Sequence, residues 1–167
     1  TARFRIAVAE RGEARVAAAL RGFLLAHPGH PLAAAAEAKL AALGRPIVFS
    51  AEDRIARAVQ LIDVHLWHEA VAELGQVGDQ VSAELARRRD YWLGTALFKM
   101  RRRYGDAGRL LLAVAPDMGP AAAEAMFHGA RALSRSDRDD EAIAWYRKVV
   151  ARYASTPWAA EAQYLSG

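Results

Sequence analysis

The chain predicts an all-α fold, a solenoid of antiparallel helix pairs with no sheet. Three observations lead there. Apolar residues recur at spacings of three, four and seven, the period of a helix face. Alanine-rich stretches such as Leu32-Ala-Ala-Ala-Ala-Glu-Ala-Lys-Leu40 favour helix and close helix contact. No alternating Val/Ile/Thr run of strand length occurs anywhere in the 167 residues.

The helices are predicted to repeat. Ala142 shares a face with Tyr146 and Val149, Ala107 with Leu111 and Val114, and Ala70 with Leu74 and Val77. These anchor alanines lie 37 and 35 residues apart, close to the ~34 residues of a tetratricopeptide unit. Trp67, Tyr104 and Asp139 stand three residues before them, so two of three copies carry an aromatic there. Gly94 and Gly129 mark the helix preceding an anchor, where a missing side chain admits a partner helix. Gly167, after Ala162 and Tyr164, is read as the same mark in a last repeat, and Ala14 as an earlier anchor. The result expected is a right-handed superhelix of about ten helices.

In order, the helices are placed at 2–11, 13–27, 31–43, 51–64, 67–77, 79–102, 104–115, 119–135, 138–153 and 156–167. Pro31, Pro120 and Pro157 each precede a helical run, where a missing N–H costs nothing. Ser50-Ala-Glu-Asp53 has the spacing of a capping box opening the run Ile55, Val59, Ile62. Thr156 offers a capping hydroxyl ahead of Pro157, and the acids from Asp137 to Glu141 favour a helix N-terminus. Residues 44–50 interrupt the pattern with Gly44 and Pro46, a possible sub-boundary in one otherwise continuous domain over 1–167. Ile47, Val48 and Phe49 are expected to plug the groove between neighbouring helices. Lacking an initiator methionine and ending in an unfinished repeat, the chain reads as a piece of something longer.

With 53% hydrophobic residues the chain can bury a sizeable core, spread between neighbours in a repeat array. Net charge is +4 and the pI about 9.8, from twenty arginines against three lysines. Such a balance admits an anionic partner, but no helix-turn-helix, zinc-finger or RNA-recognition pattern is present, so nucleic acid is not expected. Arg87-Arg88-Arg89 and Arg101-Arg102-Arg103 flank Tyr91, Trp92 and Phe98. Successive helix residues point in different directions, so the first reading is a solvated face with arginine stems covering apolar neighbours. The sharper alternative is a basic, aromatic binding strip of Arg88, Tyr91, Trp92, Arg101 and Arg102 on the concave surface.

No constellation for catalysis is found, and no enzyme activity is expected of this chain. Cysteine is absent, which excludes disulfides and thiolate zinc sites. His65 and His68 have a spacing that suits metal, and His27 and His30 form a second pair, but neither has an evident third ligand. No metal and no cofactor is assigned. His128, among Met126, Phe127 and Gly129, reads as a packing residue. Glu13, Glu69 and Glu141 each precede an anchor or its expected equivalent, which suits a helix-dipole role better than acid–base chemistry. The tryptophans and tyrosines follow the apolar stripe. No run of about eighteen apolar residues occurs, so no membrane span is predicted.

Three segments carry a family resemblance: Phe23-Leu-Leu-Ala-His-Pro-Gly-His-Pro-Leu-Ala33, the stretch from Glu52 to Ala58 leading to Glu69-Ala-Val-Ala-Glu-Leu74, and Trp158-Ala-Ala-Glu-Ala-Gln-Tyr-Leu-Ser-Gly167. Together they resemble the helical superhelix that precedes the catalytic domain in soluble lytic murein transglycosylases. The motifs are degenerate and are similar also to those of generic tetratricopeptide proteins and periplasmic assembly factors. That family's catalytic Glu-Ser pair and its Gly-Leu-Met-Gln are missing here, and no glutamate is followed by serine. The resemblance implies a periplasmic, noncatalytic domain that positions a murein-cleaving domain, binds peptidoglycan glycan strands or peptide stems, or docks partner proteins. The competing expectation is a stand-alone tetratricopeptide adaptor holding a protein or peptide in its concave groove.

Overall fold

A computed structural model describes the backbone of residues 2–167 and the side chains from Gly12 onward. Nine α-helices are found among the described residues, and no strand. They are α1 (Ala2–Ala26), α2 (Ala33–Ala42), α3 (Ala51–Asp63), α4 (Trp67–Gly75), α5 (Ala83–Lys99), α6 (Tyr104–Val114), α7 (Ala122–Ser134), α8 (Asp139–Arg152) and α9 (Pro157–Ser166). Two 3-10 turns, Ala115–Asp117 and Gly119–Ala121, connect α6 to α7.

The count differs from ten because the expected break near Gly12 does not occur: α1 runs through it. A lone glycine costs a helix only about 1 kcal/mol, and here Ala, Arg and Glu neighbours propagate the turn. Glu13 therefore lies inside a helix rather than at a start, and Ala14 is exposed, so neither matches a repeat anchor. The expected helix 79–102 is also shorter at both ends. Ser82 caps it, its side chain accepting from the Leu85 N–H, and the left-handed backbone of Arg101 (φ 55°) and Arg103 (φ 53°) stops it.

Punctuation read from sequence holds at two other ends. Ser50 and Asp53 form a full capping box, each side chain accepting from the other's backbone N–H at 3.1 Å. Thr156 accepts from the Ala159 N–H ahead of α9, with Pro157 at the first helical position.

The predicted faces are buried. Ala70, Leu74 and Val77, then Ala107, Leu111 and Val114, then Ala142, Tyr146 and Val149 are all part of the core. Gly94 and Gly129 sit where a helix closes on them: an added Cβ would lie 2.8 Å from Leu111 Cγ and 2.7 Å from Leu112 Cγ respectively. Gly108 makes a third such contact, 3.2 Å from the Gly129 carbonyl, which the sequence reading missed. Gly167 does not belong with them, since a Cβ there would meet only its own helix, and Tyr164 is 87% exposed.

From α3 to α9 each helix packs on the next, and α3, α5, α7 and α9 also touch in sequence. Apolar clusters follow the same order. Leu24, Ala36 and Leu40 join α1 to α2, Ile55, Ala58 and Leu74 join α3 to α4, and Met126, Phe127 and Tyr146 centre the largest cluster around α7 and α8. In the segment before α3, Ile47 and Phe49 pack on the first cluster as expected, but Val48 is 80% exposed. Extended backbone turns alternate side chains to opposite sides, so one of the three must face water.

Candidate functional site, a basic aromatic pocket

The turns between α3 and α4, α5 and α6, and α7 and α8 come together along one edge of the molecule. Between them is a pocket of about 280 Å³. Trp67 opens α4 and Tyr104 opens α6, so the aromatics three residues before two anchors form part of its wall, together with Phe98 near the end of α5. Phe98 and Tyr104 meet edge to face at 5.8 Å. This geometry suits the ring quadrupoles and fixes both rings.

Four cations complete the wall: Lys99 at the end of α5, Arg101 in the following turn, and Arg131 and Arg135 one helical turn apart at the end of α7. Their placement has a local reason. Basic side chains near a helix C-terminus sit favourably against its negative dipole end, and the left-handed conformation at Arg101 turns the chain sharply there. The Arg135 guanidinium lies 6.0 Å from the centre of the Tyr104 ring. At this distance the ring attracts the cation without engaging its N–H groups, which make no hydrogen bond among the described residues and are free for an oxyanion.

None of these four cations forms a salt bridge among the described residues, whereas Arg54, Arg57, Arg89, Arg103 and Arg138 are each paired with an acid. Arg103, two residues after Arg101, bonds Asp106, which holds the Asp106 carboxyl below the usual range. No acidic residue lines the pocket. The indole N–H of Trp67 is shielded from solvent and has no acceptor among the described residues. The side chains of the wall therefore present cationic donors and ring faces and no carboxylate.

Behind Phe98 lies His128, its ring 5.1 Å from Phe98 and 5.0 Å from Trp158. Burial first, then the charges of Lys99 and Arg131, push its pKa down to about 4. The Glu124 carboxylate, 3.8 Å from Nε2, is beyond hydrogen-bond reach and well exposed, so it offsets little of this. His128 is a packing residue as the sequence suggests, though one wedged between rings and two pocket cations.

The five residues expected to form a binding strip are dispersed. Tyr91 is only 8% exposed and packs in the main core, where burial and the Glu124 charge push its hydroxyl pKa up to about 12. Trp92 is half-buried against it, edge to face at 5.0 Å. Arg88 is exposed on α5, and Arg102 is exposed in the turn but outside the pocket wall. Of the five, Arg101 alone lines the pocket. The five are not brought together because Tyr91 and Trp92 follow the buried stripe of α5, while Arg101 and Arg102 lie beyond its end. Trp67, Tyr104, Arg131 and Arg135 were not assigned to a site, since only packing brings three distant turns together. The −3 aromatics were the one available signal.

His65 and His68 are both exposed, and among the described residues no three His, Asp or Glu side chains stand together as a metal site would require. No helix of the described residues is long and apolar enough to cross a membrane. Comparison with protein-family models, curated proteins and solved structures finds no match.

Proposed function

We propose that the chain is a noncatalytic scaffold, a tetratricopeptide-like α-solenoid that holds a partner rather than turning over a substrate. The observation carrying this is the recurrence of one packing relation: an anchor alanine in each of α4, α6 and α8 and its companions four and seven residues on are buried alike, Val77 lying just past the end of α4. The accessible surface supports an extended shape as well. It is 10120 Å² for a chain of 18.2 kDa, against about 8100 Å² for a compact monomer of that mass. The resemblance to soluble lytic murein transglycosylases extends the proposal to a periplasmic domain that positions a murein-cleaving domain or binds peptidoglycan.

A second reading, a protein-binding adaptor, is favoured by the pocket. Its wall offers no carboxylate or side-chain amide to accept from sugar hydroxyls, so glycan is less well matched there than an acidic partner. Sedimentation with insoluble peptidoglycan sacculi at low salt separates the two: co-sedimentation supports wall binding, and protein left in the supernatant removes it. Small-angle scattering tests the scaffold itself. A radius of gyration near the ~15 Å of a compact 167-residue domain would overturn the solenoid.

A further inference from the structure

We propose that the pocket at the α3–α4, α5–α6 and α7–α8 turns is a binding site for a doubly charged oxyanion, a phosphate monoester or a dicarboxylate, carried on an apolar or aromatic body. This does not depend on the scaffold reading, because it rests on the pocket alone.

Charge comes first. Lys99, Arg101, Arg131 and Arg135 converge on about 280 Å³ without a lining acid or a salt bridge among the described residues. Lys99, Arg101 and Arg135 are exposed, so water screens much of their mutual repulsion; what an oxyanion in the pocket gains is charge-assisted hydrogen bonds from several cations at once. Three of the four are guanidiniums, whose planar fork matches carboxylate and phosphate oxygens in pairs. The second requirement comes from the rings. Trp67, Phe98 and Tyr104 give the wall ring faces that a bare inorganic ion leaves unused. An apolar body beside the charged group covers them. Ligands needing acceptors from the protein, such as sugars or a nucleobase amino edge, are disfavoured by the shortage of acceptor side chains.

The volume is at the low end for small-molecule sites and fits a single ring bearing its charged group. His128 supplies an internal reporter. It lies behind Phe98, and the Lys99 and Arg131 charges help hold its pKa low. An anion among those cations, or a ring laid against Phe98, changes the surroundings of the His128 imidazole, so its ring resonances should move on binding.

The test is titration of the protein with phenyl phosphate and with phenylsuccinate, followed by the Trp67 indole N–H resonance and the His128 ring resonances. At pH 7, where both probes are doubly charged, each should shift these signals saturably, and the tighter of the two identifies the oxyanion. Inorganic phosphate should bind several-fold more weakly, benzyl alcohol should leave both signals in place, and added salt should weaken binding. R131Q/R135Q should reduce affinity about tenfold or more. R101Q, which alters only an exposed turn, gives the same direction should the double variant fold poorly. R152Q, on the exposed end of α8, should bind as the parent does. Benzyl alcohol binding as tightly as phenyl phosphate, or R131Q/R135Q and R101Q binding unchanged, would overturn the site.

Discussion

Arg57 Nη1 donates a 2.6 Å hydrogen bond to the Leu24 carbonyl, joining α3 to the end of α1 across 33 residues of sequence. The guanidinium also lies 4.0 Å from the centre of the Phe49 ring, its Nη2 donates to Glu73 Oε2 at 3.4 Å, and its Nε sits 3.2 Å from Glu73 Oε1 as an ion-pair contact without hydrogen-bond alignment. At 7% exposure Arg57 is the one buried charged residue among those described. It ties the first helix pair to the rest.

Arg57→Ala should therefore destabilise by about 2–4 kcal/mol in a denaturant titration, because Glu73 loses a buried partner and the Leu24 carbonyl its donor. Arg54, 3.1 Å from Glu73 Oε1, limits the loss. Arg57→Lys should restore little, since an ammonium cannot reproduce the fork and the stacking together. Full rescue by lysine would show that charge alone matters.

Small residues at helix contacts should tolerate no growth. Gly129→Ala places a methyl carbon 2.7 Å from Leu112 Cγ, and the expected loss of about 1–3 kcal/mol from overpacking exceeds the roughly 1 kcal/mol gained in helix propensity. Gly22→Ala, inside α1 with nothing within 4 Å, should instead stabilise by about 0.5–1 kcal/mol. Thermal midpoints moving the same way in both variants would contradict the close approach at Gly129.

The anchor alanines make a companion case. Ala142→Leu adds three carbons where the residue is 1% exposed and should cost about 1–3 kcal/mol. The same change at Ala144, exposed on the same helix, should fall within about 0.5 kcal/mol of zero. Equal effects at both positions would mean that Ala142 does not face the core.

His128 should make stability depend on pH in a defined window. Its folded pKa is depressed to about 4 from 6.5, so above about pH 6.5 both states are neutral there and it contributes nothing. As pH falls from about 6.5 to about 4 the unfolded chain takes up the proton first, and stability is lost by about 2–4 kcal/mol in all. Below that both states are charged and the loss levels off. His128→Gln should lose less stability than the parent between pH 7 and 4.5, as measured by urea unfolding. Parallel pH profiles for the two proteins would exclude this role.

The Ser50 box permits a smaller, local test. Ser50→Ala leaves the Asp53 N–H without its side-chain acceptor and should cost about 1 kcal/mol. Ser50→Asp keeps an acceptor and should retain most of the stability, measured by chemical denaturation.

Local chemistry settled much of this molecule in advance. Helix faces are written in spacings of three, four and seven, caps in residue types two or three apart, and close contacts in glycine, so Ala70, Ala107, Ala142, Ser50, Thr156, Gly94 and Gly129 could all be placed from sequence. Ala14, Val48 and the break near Gly12 could not, because each turned on what the neighbouring chain does once packed. The pocket belongs wholly to this second kind. Trp67, Arg101 and Arg135 are separated by about one repeat length in each step, but that spacing alone does not say that their three turns meet around one pocket. Only the stacking of three helix pairs brings their turns to one edge, since burial of the apolar stripes fixes the helix axes and the turns follow.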